Sequence, residues 1–298
     1  PWRFDAARNM SLELVPEDAD VCISLDLDEV LSEGWREAVE HAWSEGTRRG
    51  RYLYVWSHSG AEDGVTFYAD KIHSRHGWTW KYPVHEVLSG EGEAILIPGL
   101  RVDHWPDDTK SRASYLPLLE LAVSEDPAND RNMHYLGREY YFHRQWGRAM
   151  ETLMRHLALP TATWDAERAA SMRYIARCCE ALGDTRSAAH WLVRAAEEAP
   201  TQREAPYELT RLYYGMEQWA MCRYWAMRTL YITERDNNYM TNPDAWGSGP
   251  YDYKAVAEWH LGLYDEALDA ARAALALEPD NQRLQNNVDI IRRSNNAQ

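Results

Sequence analysis

The sequence predicts two parts of different class: an α/β segment over residues 1–108, followed by an all-α array of helical repeats over residues 109–298. Three observations predict it. An apolar run, Val21–Leu25, sits between two helical patterns and leads straight into the acids Asp26, Asp28 and Glu29. From Arg51 to His104 the runs are aromatic and β-branched, as strands require. After Pro106 apolar residues recur at spacings of three and four almost to the end, which is helical periodicity.

The elements follow in order. Phe4-Asp5-Ala6-Ala7-Arg8-Asn9 opens a helix through Leu14, Pro16-Glu17-Asp18 turns the chain, and Val21–Leu25 forms a strand. Alternation continued past that strand sends Asp26 and Asp28 to one side, towards a cleft, and Leu27 back into the core. Ser32 is the expected N-cap of an amphipathic helix from Trp35 to Trp43, and Gly46 its stop. Arg51–Trp56 and Val65–Ala69 read as strands joined by the polar loop Ser57–Gly64, with Gly60, Asp63 and Gly64 as turn residues. Trp78 and Trp80 share one side of a short strand, where they either stack on a sugar or fill the sheet core. A last strand from Glu93 to Pro98 passes through Gly99 to Arg101–His104.

From Ser111 onward the pattern is helical and repetitive. Gln145-Trp146-Gly147-Arg148-Ala149, Asp184-Thr185-Arg186-Ser187-Ala188, Gln218-Trp219-Ala220-Met221-Cys222 and Leu263-Tyr264-Asp265-Glu266-Ala267 each follow one helix and start another. Taking Trp146, Thr185, Trp219 and Tyr264 as equivalent gives intervals of 39, 34 and 45 residues. These bracket the roughly 34 of tetratricopeptide helix pairs, which the array resembles most at Ala255–Gly262, Tyr264–Leu268, Ala271–Ala276 and Pro279. The long third interval holds an Asn-, Gly- and Pro-rich insert, Asn237–Tyr251, expected on one face of the array.

The first segment, Arg3 to about Trp105, resembles the second half of a family 2 glycosyltransferase of the GT-A fold. The resemblance is carried by Phe4–Asn9, by Asp26-Leu27-Asp28 with Glu29, by Tyr82-Pro83-Val84-His85-Glu86 and by Val102-Asp103-His104-Trp105. It implies metal-dependent, inverting transfer of a sugar from a nucleotide-sugar donor to an acceptor hydroxyl. Arg8, Asp26 and Asp28 then bind the donor, and Asp28 with His104 holds Mn²⁺ or Mg²⁺ against the diphosphate. Glu86 becomes the general base, His85 and Trp80 contact the acceptor, and the repeats hold a macromolecular or glycan acceptor. The pattern also implies that about the first third of such a domain is not in this sequence. Each residue has an ordinary reading as well: His104 as a strand-end histidine, Arg8 as a helix-face arginine, Glu86 as a strand end facing solvent.

Two other classes compete with the transferase. One is a non-catalytic tetratricopeptide-type scaffold that binds protein partners in its grooves. The other is a haloacid-dehalogenase-type phosphatase, for which Leu25–Leu31 supplies an opening motif; Gly183-Asp184 does not complete it, because that pair falls at a repeat turn. A net charge of −15 argues against stable nucleic-acid binding through phosphates. With 45% apolar residues over 298 positions the chain supports two cores. Cys22, Cys178, Cys179 and Cys222 lack metal or redox spacing and read as free buried thiols, and no run approaches a membrane span, so a cytoplasmic setting is expected.

Overall fold

The structure, a computed structural model, describes residues 2–59, 62–107, 109 and 115–296. The expected turn residue Gly60 and the expected helical onset at Ser111 lie outside the described residues. Density of contacts divides the chain into two compact units: residues 1–136 with Asn237–Tyr239, and residues 137–236 with 240–298.

The first unit is built on a mixed five-stranded sheet of order β1-β6-β3-β9-β2, from Val21–Ile23, Thr66–Ser74, Arg49–Val55, Ala94–His104 and Glu29–Leu31. Strands β3 and β9 run parallel and the other pairs antiparallel. Its core is Tyr52, Tyr54, Ile72, Ile97, Leu100 and Val102, closed by Val39 of helix α2 (Trp35–Ala42). Gly50 sits where β3 crosses Ile97: a Cβ there would lie 2.6 Å from Ile97 Cδ1. The hairpin β4–β5 (His58–Ser59, Glu62–Asp63) and the pair β7–β8 (Trp78–Lys81, Val87–Gly90) complete the strands, and α1 (Phe4–Glu13) packs on β7.

Three local expectations are corrected here. Strand β1 ends at Ile23, so Asp26–Asp28 lies in a turn and the alternation no longer applies; Leu27 is fully exposed. Ser32 does not cap α2, whose N-cap is Gly34 at φ +76°; the Ser32 hydroxyl instead accepts the Arg101 N–H at 3.2 Å. The segments Glu93–Pro98 and Arg101–His104 form one strand, β9, through Gly99.

Helix α3 (Tyr115–Glu125) also belongs to the first unit. Among the described residues, four helix pairs then follow: α4–α5 (Asp130–Phe142, Trp146–Ala158), α6–α7 (Asp165–Ala181, Thr185–Glu198), α8–α9 (Glu204–Gly215, Trp219–Tyr231) and α10–α11 (Gly249–His260, Tyr264–Leu277), closed by α12 (Gln282–Asn296). The four positions taken as equivalent in sequence, Trp146, Thr185, Trp219 and Tyr264, are the first residues of the four second helices.

A common turn explains that register. Two residues before each second helix the backbone enters the left-handed region, at Arg144, Gly183, Glu217 and Gly262. The next N–H then reaches back to the carbonyl of the preceding helix: Gln145 to Tyr140, Asp184 to Cys179, Gln218 to Tyr213 and Leu263 to Glu258, each at 2.9–3.0 Å. These are Schellman closures, which satisfy carbonyls that a helix end leaves open. The fourth residue of each second helix is small and fully buried: Ala149, Ala188, Cys222 and Ala267. Twelve positions earlier the first helices carry Gly137, Ala176, Thr210 and Ala255, also buried, so small residues meet where the paired helices approach. Apolar residues such as Leu153, Ile175, Leu192 and Leu209 fill the space between pairs.

Candidate functional site

In the first unit the acidic turn is drawn into a network of ion pairs. Arg8, on the inner face of α1, donates from Nη2 to Asp26 Oδ1 at 2.6 Å and from Nε to Glu86 Oε1. Lys71 of β6 donates to Asp26 Oδ2 at 3.0 Å and to Glu29 Oε1 at 2.7 Å. The Glu29 side chain is buried, and it also accepts the Tyr54 hydroxyl at 2.8 Å and the Asp26 N–H at 2.9 Å. Burial works against the Asp26 charge, but Lys71 and Arg8 outweigh it and hold the carboxyl below the ordinary carboxylate range. Burial first, then Glu29, pushes the Tyr54 phenol up.

Arg8, Asp26 and Glu86 are therefore brought together, but with one another. The Glu86 carboxylate is spent on Arg8, and Asp26 on two cations. Asp28 lies apart, with Oδ2 at 3.9 Å from His104 Nε2, while His104 Nδ1 donates to the Trp56 carbonyl at 3.0 Å. Trp80 is buried beneath the Arg8 guanidinium, 4.8 Å from the ring centroid, so it is sheet core and offers no open face to a sugar. His85 stacks on Tyr135 at 4.1 Å, and its carbonyl accepts from Arg131. Tyr82 and His85, both at positive φ, bend the loop that presents Glu86.

Asp28 and His104, the residues expected to hold Mn²⁺ or Mg²⁺, lie side by side. Among the described residues no group of three or more His, Cys, Asp or Glu side chains is placed to hold an ion, and Lys71 already occupies the outer oxygen of Asp26.

The second unit carries a different kind of site. A cavity of about 480 Å³ opens between the first helices of successive pairs, with Tyr141 from α4, Arg177 and Glu180 from α6, Tyr207, Glu208 and Arg211 from α8, and Tyr253 from α10. Its floor is ionic. Glu208, fully buried, accepts Arg173 Nε and Arg177 Nη2, each at 2.7 Å. Burial opposes its charge, yet the two guanidinium groups keep its carboxyl below the ordinary range. Arg211 Nη2 donates to both Glu180 oxygens, at 2.9 and 3.0 Å.

The insert between α9 and α10 forms one wall, through Asn242 and Asp244. It is pinned from α8 and its N-cap. Glu204 Oε1 accepts the Asn242 N–H at 3.0 Å and Trp246 Nε1 at 3.2 Å, and Arg203 lies 4.2 Å over the Trp246 ring while donating to the Ile232 carbonyl. Asn237–Tyr239 group with the first unit, where Tyr239 meets Phe67 edge-on at 5.7 Å. Gly183 and Asp184 fall at a repeat turn, with Asp184 accepting the Ser187 N–H as the cap of α7. Among the described residues no helix is long and apolar enough to cross a membrane, and the four cysteines are free and buried.

Sequence reasoning missed Lys71 and Tyr54 in the first cluster, gave Glu29 of the acidic motif no role, and missed the whole of the cavity. The available signal for the cavity was the spacing of Arg173 with Arg177, and of Tyr207 with Arg211, each four residues apart on one helix face.

No family model matches the chain, and no curated protein matches it. Its fold is similar to that of several solved structures. MamA shares 20% identity over 56% of this chain and 89% of its own, with a TM-score of 0.45. A tetratricopeptide repeat protein from Parabacteroides merdae shares 18% over 60% and 64%, with a TM-score of 0.44. YrrB, described as a tetratricopeptide repeat protein with an unusual peptide-binding site, shares 13% over 57% and 80%, with a TM-score of 0.42. The expectation of a family 2 glycosyltransferase enzyme is corrected on the geometry of the first unit, where Arg8 and Lys71 hold Asp26, and Arg8 holds Glu86, in ion pairs; the helical repeat array is the part of that reading which the fold bears out.

Proposed function

We propose that this chain is a non-catalytic scaffold of the tetratricopeptide type, which holds a segment of a partner protein in the cavity between its first helices. The observation that carries the proposal is the cavity itself. About 480 Å³ is walled by four helices and an insert, with its charged floor fixed by Glu208 and Glu180, so it is formed before a partner arrives. Pre-formed sites lose less conformational entropy on binding, and tyrosines supply wide contact area from few rotatable bonds.

The test uses the full chain on an array of immobilised hexapeptides. The double variant Tyr141→Ala with Tyr253→Ala removes two walls of the cavity and is expected to weaken the peptides that bind by about tenfold or more, as loss of aromatic anchors does. Circular dichroism checks that the variant keeps its helices. Unchanged binding by a folded double variant refutes the cavity as the binding site.

A further inference from the structure

We infer that the cavity takes an uncharged amide of the partner, the side-chain carboxamide of an asparagine or glutamine, a reading that rests on the scaffold function proposed above and names its ligand chemistry. The charges at the site balance. Arg173 and Arg177 share the one carboxylate of Glu208, Arg211 is paired with Glu180, and Asp244 on the insert makes a third acid against three arginines. They are not evenly spread, however. The floor carries two guanidinium groups on one carboxylate, while the exposed Asp244 stands on the wall, with no cation within ion-pair distance among the described residues. Burial pushes the Tyr207 phenol up, Tyr253 and Asp244 add to the rise and Arg211 opposes it, so the acid of the wall and an arginine of the cavity both act on one ring.

The hydrogen-bonding groups left open have the same polarity. Both oxygens of Glu208 and both of Glu180 already accept from arginines. Arg177 Nη1 and Arg211 Nε and Nη1 make no hydrogen bond among the described residues. The arginines therefore offer N–H donors and Asp244 an acceptor. A carboxamide answers both, since its oxygen accepts from the arginines while its N–H donates to Asp244. A carboxylate would meet Asp244 and an ammonium or guanidinium the arginines, and either would leave water for a site with no net charge to repay it. An apolar side chain would cover these groups unpaired. A main-chain amide of the partner carries the same two groups, and the experiment separates the two sources.

The experiment uses the full chain and hexapeptide sets identical except for one fixed position carrying Gln, Leu, Lys or Glu, together with ester replacements of single main-chain amides in the tightest binder. The Gln set is expected to bind about fivefold to tenfold more tightly than each of the others, the scale of a hydrogen bond to a charged group. If Gln and Leu instead bind alike, both above Lys and Glu, and one ester costs about the same factor, the amide is the main chain's and the inference holds with that source. Two variants test the balance itself. Arg211→Gln should raise the Lys set above the Gln set, and Asp244→Asn should raise the Glu set; both residues are exposed, and circular dichroism checks that the helices are kept. A wild-type preference for Leu, Lys or Glu, equal binding of all four sets with no sensitive ester, or a preference that ignores both variants overturns the inference. If peptides bind without such preference and are lost in the Tyr141→Ala, Tyr253→Ala variant, the scaffold reading stands and this one falls. If no set binds above background, both fall.

Discussion

Glu217 is the residue at which the repeat turn works against its own sequence. Four turns share one hydrogen-bond pattern, yet two place glycine at the left-handed position, Gly183 at φ +80° and Gly262 at +75°, while Arg144 and Glu217 adopt +56° and +55°. A side chain in that region costs about 1–2 kcal/mol, and glycine returns about 0.5–1 kcal/mol of this through the greater freedom of the unfolded chain. Glu217 is exposed, and its side chain makes no hydrogen bond or ion pair among the described residues, so Glu217→Gly removes strain and no contact. The expected net gain is about 0.5–1 kcal/mol, or about 1–4 °C in the melting temperature of a unit this size. Urea denaturation followed by circular dichroism at the helical band measures it. Gly183→Ala is the control: a Cβ there would have nothing within 4 Å, so any loss is conformational and not steric, and about 1 kcal/mol is expected. If Glu217→Gly is neutral or destabilising while Gly183→Ala is harmless, the shared turn does not set the register of these pairs.

Four further outcomes follow from the packing. In α4, Gly137→Ala should destabilise the second unit by about 1–3 kcal/mol despite better helix propensity, because the new Cβ would lie 2.5 Å from Cγ of the fully buried Leu153; thermal unfolding reads this directly. Glu208→Gln leaves Arg173 and Arg177 without their buried counter-charge and should cost about 3–5 kcal/mol in urea titrations. Since the folded-state pKa of Glu208 lies below its unfolded value, its stabilisation is present above the unfolded pKa and lost as pH falls through the folded one, so acid unfolding of the wild type should be steeper than that of Glu208→Gln. Burial pushes the thiols of Cys178 and Cys222 up to about 12, so at pH 8 both should resist alkylation in the native protein and react fully only in denaturant, as mass spectrometry would record.

The repeat register was readable because it is local. Each turn is set by a few consecutive residues, and Trp146, Thr185, Trp219 and Tyr264 announce their helices without help from the rest of the chain. The sheet was readable as strands but not as a pairing. Lys71 reaches Asp26 because β1 lies against β6 with Ile23 opposite Ile72, a register between residues about fifty apart that no short pattern encodes. Leu27 misled for a related reason: alternation predicts its side only while the strand lasts, and the strand stops four residues earlier. The same distance hid the cavity, whose floor joins Arg173 to Glu208 and Arg211 to Glu180 across successive repeats. Arg8 was marked as a site residue from its motif, but that motif could not say that its partners would be the other marked acids.

The stitching of the insert by Arg203 and Glu204 has a mechanical consequence. In an array whose members touch only their neighbours, a load applied at the carboxyl terminus peels pairs away one after another, each a separate small rip. Here the segment leading into α10 is tied to the N-cap and first turn of α8, so pulling α10 free tugs at the helix pair before it. The last two pairs should yield as one longer step, turning a zipper of equal teeth into one with a double tooth at its end.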